Sequence, residues 1–226
     1  MALPSCQKLV WPTRDRRERS ARWAGRMVLL IALPLLVAAG PVIAAPTGDS
    51  DPKAAAFMNQ LWSRALELLN KKAPAAERQA RFRELFHDDF DSPGIARFVL
   101  GRYWRTASPE EQKEFLKLFE DYVVYVYTAR LSDFQGEEFK INSARSDEGS
   151  VIVSTDVLTP GAPTPLKVDW RLVNDDGVYK ISDVIVEGVS MLVTQRSEFA
   201  SIIQRHGGQV QGLLDLMREK TASTTQ

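Results

Sequence analysis

Leu166-Lys167-Val168-Asp169-Trp170-Arg171-Leu172 alternates apolar and charged side chains without a break. That is the period of a strand with one buried face and one wet face. Working outward, Phe139 and Ile141, then Val151 to Leu158, then Val178 to Val186 supply three further strand-like runs. The spacers between them are turn formers: Asp147-Glu148-Gly149, Pro160-Gly161-Ala162-Pro163-Thr164-Pro165 and Asn174-Asp175-Asp176-Gly177. Four strands on such short links predict an up-and-down antiparallel meander. Its charged face can meet water, whereas its apolar face needs helices over it.

Helical periodicity lies on both sides of this block. Phe57, Leu61, Trp62, Ala65, Leu68 and Leu69 recur at three- and four-residue steps, so Pro52 to Lys71 reads as an amphipathic helix ended by Pro74. Ala75 to Phe86 suggests a second, more polar helix, and Phe90 to Leu100 a short apolar one that stops at Gly101. Ser108-Pro109-Glu110-Glu111 combines a hydroxyl cap, proline at the first helical position and glutamate three residues after the cap. The helix it starts runs to about Leu131, and the unbroken apolar run Tyr122 to Tyr127 requires cover on more than one side. After Ser190 the pattern is helical again, with a break at Gly207-Gly208. The expected class is α+β, with a four-stranded antiparallel sheet and about six helices.

The N-terminus carries export information. Arg14, Arg16, Arg17, Arg19, Arg22 and Arg26 precede an apolar run from Met27 to Ala39, and Val42-Ile43-Ala44 suits a signal peptidase. Cleavage is placed after Ala44, which makes residues 1–44 a signal peptide, 45–51 a polar linker, 52–220 the folded domain and 221–226 a tail. The apolar run is shorter than the roughly 20 residues of a membrane span, and an uncleaved anchor is the alternative. Arg16-Arg17 is followed by Glu18, Arg19 and Ser20, which does not suit twin-arginine export. Cys6, the only cysteine, lies in the leader, so the mature chain has no disulfide, thiol nucleophile or cysteine metal ligand. Subtracting the leader's seven basic and two acidic residues from 29 of each leaves 22 and 27. A net charge of about −5 gives no footprint for nucleic acid.

A search for catalytic groups finds little. His87 and His206 have no second histidine at metal-ligand spacing, and His87-Asp88-Asp89 reads as a solvated helix end. Gly188-Val189-Ser190 lacks the second glycine of a nucleophile elbow, so Ser190 reads as a helix cap. Asp183 and Glu187 read as ion-pair partners of Arg102, Arg105 or Arg196. No metal, cofactor or enzymatic activity is expected. What remains is an apolar surplus: Phe98, Tyr103, Trp104, Phe115, Phe119, Tyr122, Val126 and Tyr127 on helices, against Val153, Leu166, Val168, Trp170, Leu172, Ile181 and Ile185 on the sheet. Such residues either fill one another's space or enclose a cavity.

Four segments in order decide how that surplus is read. Leu100-Gly101-Arg102-Tyr103-Trp104, Ser108-Pro109-Glu110-Glu111-Gln112, Glu187-Gly188-Val189-Ser190-Met191 and Gln195-Arg196-Ser197-Glu198-Phe199 resemble the MlaC (toluene-tolerance) family of periplasmic lipid-binding proteins. The resemblance covers about Phe90 to Lys220, and Thr194 to Phe199 with Gly207-Gly208-Gln209-Val210 looks like its hopanoid-associated HpnM branch. It implies a twisted sheet wrapped by helices around a cavity for acyl chains, with the headgroup in solvent. It also implies Val189 near that cavity and Trp104 and Trp170 in its wall, together with the other aromatic and aliphatic residues just named. The implied partners are a phospholipid or hopanoid ligand, an inner-membrane lipid ABC transporter with its membrane-tethered ring protein, and an outer-membrane lipoprotein complex. A two-chain lipid has about thirty methylenes at roughly 0.8 kcal/mol each, so it needs a dry pocket to cross water. The competing classes are an enzyme or enzyme accessory, which needs an ionisable pocket, and an interaction module with a solid core.

Overall fold

In a computed structural model, which describes residues 51–68, 73–131 and 138–222, the alternating run is the third strand of an antiparallel meander. The strands are β1 (Glu138–Asp147), β2 (Ser150–Leu158), β3 (Leu166–Asp175), β4 (Val178–Val186) and β5 (Val189–Ser190), adjacent in that order. The sheet therefore has five strands where the sequence reading expects four. The extra one arises because Glu187 and Gly188 both take positive φ, 49° and 78°, and turn the chain back on β4. Glu148-Gly149 and Asp176-Gly177 make their hairpins in the same conformation.

Six α-helices complete the described fold: α1 (Pro52–Leu68), α2 (Ala75–Asp89), α3 (Ser92–Leu100), α4 (Pro109–Leu131), α5 (Met191–Arg205) and α6 (Gln211–Ala222). A 3₁₀ turn, Gly101–Arg105, joins α3 to α4. The capping box expected at α4 is formed in both directions, with Glu111 N donating to Ser108 Oγ at 3.2 Å and Ser108 N to the Glu111 carboxylate at 2.8 Å. Ser190 Oγ likewise accepts from Val193 N at 3.0 Å, as a cap for α5. Asp51, read as the end of a linker, is the cap of α1: its Oδ1 accepts from Lys53 N and Ala54 N at 3.0 and 2.9 Å. At the other end α6 runs through Thr221 and Ala222. The proposed leader, the rest of the linker and residues 223–226 lie outside the described residues.

One face of the sheet is apolar, as expected. Pairing Val151 with Leu172, Val153 with Trp170 and Leu172 with Ile181 puts these side chains on the same side, where they pack with Met58, Leu61 and Leu68 of α1 and Leu85 of α2. A second cluster is helical: Phe115, Phe119 and Val123 of α4 pack with Val99 and Leu100, Phe199 and Ile203, and Leu213, Leu214 and Met217. Phe82 and Phe90 touch both clusters. The expectation that α4 is covered on several sides is met, since it packs on α2, α3 and α6.

Candidate functional site

Register decides which predicted side chains share a face. Between Arg171 and Leu172 the β3–β4 pairing slips by one residue, so Asp183 opposes Arg171 and Ile181 opposes Leu172, leaving Ser182 unpaired in register. Side chains change faces across such a bulge. Ile181 is fully buried on the apolar face, while Ile185, opposite Asp169, lies on the face that carries the charges. Val184 and Val186 take the apolar side in its place, opposite Trp170 and Val168.

The helical and sheet residues of the predicted site fall into different groups. Tyr103, Phe115 and Phe119 are buried in the helical cluster, with Tyr122 and Tyr127 against its edge. Val153 and Ile181 are buried in the sheet cluster, with half-buried Trp170 beside them donating Nε1–H to Thr155 Oγ1 at 3.0 Å. A third group belongs to neither cluster. Leu166 pairs with Val157, Val168 with Val186, and Val186 with Val189, which forms a continuous strip at one end of the apolar face. Val168 and Val186 are buried within this strip, and Leu166 and Val189 stand 42% and 46% exposed at its margin. Val126 on α4 also lies outside both clusters and is half-buried.

Phe98 is elsewhere again, and Trp104 packs one side against the helical cluster. Both border an open depression of about 340 Å³ whose other walls are Arg97, Gly101, Arg102, Arg105 and Arg196. The guanidinium of Arg97 stands 5.5 Å from the Trp104 ring centre, and that of Arg196 stands 5.0 Å from Phe98. The turn that carries this group is rigidly tied, because Gln112 Nε2 donates to the carbonyls of Trp104 and Ala107 at 2.8 and 3.3 Å. A second depression, about 440 Å³ between α2, α4 and α6, has its arginines paired: Arg83 with Asp121 of the lining, and Arg218 with Glu114 outside it.

Three polar residues depart from the sequence reading. Asp183 is not an arginine partner: its carboxylate accepts from Ser190 Oγ at 2.6 Å and from Leu192 N at 3.1 Å, reinforcing the α5 cap. Glu187 instead accepts from Lys167 N of the neighbouring β3 at 2.8 Å. Asp89 is buried where a solvated helix end is expected, and burial pushes its carboxyl above the usual range while Arg64, its ion-pair partner, pulls the other way. His87 is exposed beside Asp88, as expected. Among the described residues there is no cluster of side chains able to hold a metal, and no helix long and apolar enough to cross a membrane.

The model of the MlaC protein family matches residues 59–219 of the chain. The chain belongs to the MlaC family. It is 26% identical over 113 residues to the intermembrane phospholipid transport system binding protein MlaC of Haemophilus influenzae, covering 48% of this chain and 53% of that one. It is 25% identical over 126 residues to the toluene tolerance protein ttg2D of Pseudomonas putida, covering 55% and 59%. The chain thus spans little more than half the length of these curated relatives. A solved structure of a phospholipid-binding protein from Ralstonia solanacearum, in complex with a phospholipid, superposes with a TM-score of 0.63. It covers 79% of this chain and 99% of that one at 19% identity, a likeness of fold. Sequence reading missed the arginine depression of this MlaC-family chain. Its signal was available: from Ser92 to Pro109 there are three arginines and no acidic residue.

Proposed function

We propose that this protein is a non-enzymatic periplasmic lipid carrier, which takes phospholipid between inner- and outer-membrane transport complexes by shielding its acyl chains. The single observation that carries the reading is the strip Val157, Leu166, Val168, Val186 and Val189, an apolar sheet end that neither packed cluster fills, in a chain of the MlaC family. Acyl chains lie along that strip and enter past Leu166 and Val189, and Tyr122 and Val126 of α4 join their contacts as the space opens. Trp170, Val153, Ile181, Phe115, Phe119, Tyr103 and Tyr127 form the deeper wall that the chains reach when the two clusters part; Phe98 and Trp104 border the arginine depression instead, and Ile185 lies on the opposite face of the sheet. Release follows from docking that opens this space, since no polar contact is needed to hold the chains.

The leader, residues 1–44, directs export and is removed, and residues 52–220 work as the carrier domain. Partners in this scheme are an inner-membrane ABC transporter with a membrane-tethered ring protein and an outer-membrane lipoprotein complex. Membership of the HpnM branch adds hopanoid or a hopanoid precursor to the cargo. The alternative is an interaction or accessory protein of hopanoid metabolism with a solid core. Its supporting observation is that Phe115, Val153 and Ile181 are fully buried against protein neighbours.

Native mass spectrometry of the protein purified from the periplasm without denaturant tests both. Co-purified lipid on a chain beginning at Ala45 supports the carrier. A lipid-free chain that also fails to take up added phospholipid or hopanoid supports the accessory.

A further inference from the structure

The arginine depression on α3, the 3₁₀ turn and α5 belongs to no part of the carrier reading. Arg97, Arg105 and Arg196 have no carboxylate or hydrogen-bond acceptor among the described residues, and Arg102 spends one donor, Nη2, on Tyr103 Oη at 2.8 Å. Most other described arginines have partners: Arg64, Arg81, Arg83, Arg171 and Arg218 each face an acidic side chain, while Arg78 and Arg205 donate to a carbonyl and a hydroxyl. Asp183 and Glu187, the obvious acids for this group, have other donors.

The unpaired guanidiniums are nevertheless positioned. Arg97 and Arg196 stand near the Trp104 and Phe98 rings, and stacking of this kind leaves the in-plane N–H edge free for a bidentate anion. Gly101 is part of the construction. It takes φ 59°, and a Cβ there would fall 2.8 Å from Arg196 Nε, so the missing side chain makes room for the guanidinium. Around these charges lie apolar groups open to solvent: Phe98 is 39% exposed, and Val193, one turn before Arg196 on α5, is 53% exposed.

We propose that this depression docks the carrier directly on an anionic phospholipid bilayer, its arginines taking the phosphodiester headgroups while Phe98, Trp104 and Val193 meet the glycerol and upper acyl zone. A phosphodiester fits these donors better than a protein carboxylate, because it lies in the same molecule as an apolar boundary at the depth the aromatic rings occupy. A mature chain of net charge about −5 is repelled by such a surface as a whole. A single basic face therefore also sets orientation. It presents the α3–α5 side to the membrane in addition to any docking on transport proteins.

The test uses the protein as the cell processes it, sedimented with vesicles of phosphatidylcholine alone or with phosphatidylglycerol added, at low and high salt. Wild type should partition onto the phosphatidylglycerol vesicles and be released by salt. Arg97→Gln and Arg196→Gln should each weaken partitioning roughly fivefold, as expected for about one unit of charge near an anionic surface, and the pair should weaken it further. Arg81→Gln, on the solvent face of α2 beside Glu77, serves as the control and should bind as wild type. Binding indifferent to phosphatidylglycerol would overturn the proposal and leave an acidic protein segment as the better occupant. Binding unchanged in the double variant, with the same melting temperature as wild type, would overturn it equally. Lipid co-purified with the double variant reads the carrier function separately, and should match wild type whichever way docking falls.

Discussion

Tyr179 of β4 donates its hydroxyl hydrogen to the Asp51 carboxylate that caps α1, and this bond ties the first helix to the sheet. The Tyr179 bond, then the Ala54 amide, holds the Asp51 carboxyl below its usual range. A depressed carboxylate contributes stability above its unfolded pKa and loses it as pH falls through the folded one. Tyr179→Phe should therefore melt below wild type near neutral pH, with a gap that narrows as the buffer is taken below pH 4 or so; thermal melts in an acid series read this, and a constant gap would refute it. Asp89 works in the opposite direction: its raised carboxyl penalises the ionised form, so its contribution improves on acidification. The melt of wild type reports both, which is why the variant comparison isolates Asp51. At Ser108 the effect is one of capping alone. Ser108→Ala should cost about 1 kcal/mol in urea unfolding while lipid occupancy stays as in wild type.

Hairpin turns and helix caps account for most of the elements. The β1–β2 and β3–β4 hairpins were legible because Glu148-Gly149 and Asp176-Gly177 sit between period-two runs. Glu187-Gly188 has the same chemistry, but the strand after it is two residues long and leads straight into α5, too short for any periodicity to register. Gly188→Ala tests that turn cleanly. A Cβ at 188 would meet nothing within 4 Å, so the only penalty is the positive φ of 78°. A loss of about 1 kcal/mol is expected, by urea unfolding, from the backbone term alone. The β4 bulge is a harder case. Nothing in Ile181-Ser182-Asp183-Val184-Ile185 announces that one residue is extra, and strict alternation puts Ile181 and Ile185 on one face when pairing with β3 puts them on two.

The apolar surplus of the described residues divides into a helical cluster, a sheet-and-α1 cluster and a strip at one end of the sheet that belongs to neither. If the strip is the lipid's contact, a charge at its solvent margin should expel lipid without unfolding the chain. Val189 is the place for it, being 46% exposed and opposite buried Val186. Val189→Glu is expected to reduce co-purified lipid, measured by native mass spectrometry, with an unchanged circular dichroism spectrum, since the carboxylate reaches water. Unchanged occupancy would remove Val189 from the proposed contact surface. Phe98 and Trp104 show why a list of aromatic residues could not itself define a pocket. They share hydrophobicity with Phe115 and Phe119, and Trp104 packs on the same cluster, yet both turn a side to arginines at the surface while Phe115 and Phe119 are buried.

What the chain's order of residues determined by itself was everything governed by neighbours a few positions away: the helical and strand periods, the Ser108 and Ser190 caps, the two longer hairpins, and the four ordered segments that resemble the MlaC family. These depend on backbone conformations and hydrogen bonds that close within one turn. Tertiary structure alone decided the rest. Whether Asp89 is wet or buried, whether Arg196 meets a carboxylate or an aromatic ring, and which face Ile185 joins all depend on segments far apart in sequence. Periodicity can say that a side chain is apolar or charged. Only the packing of one layer on another says what it meets, because desolvation and pairing act through space and not along the chain.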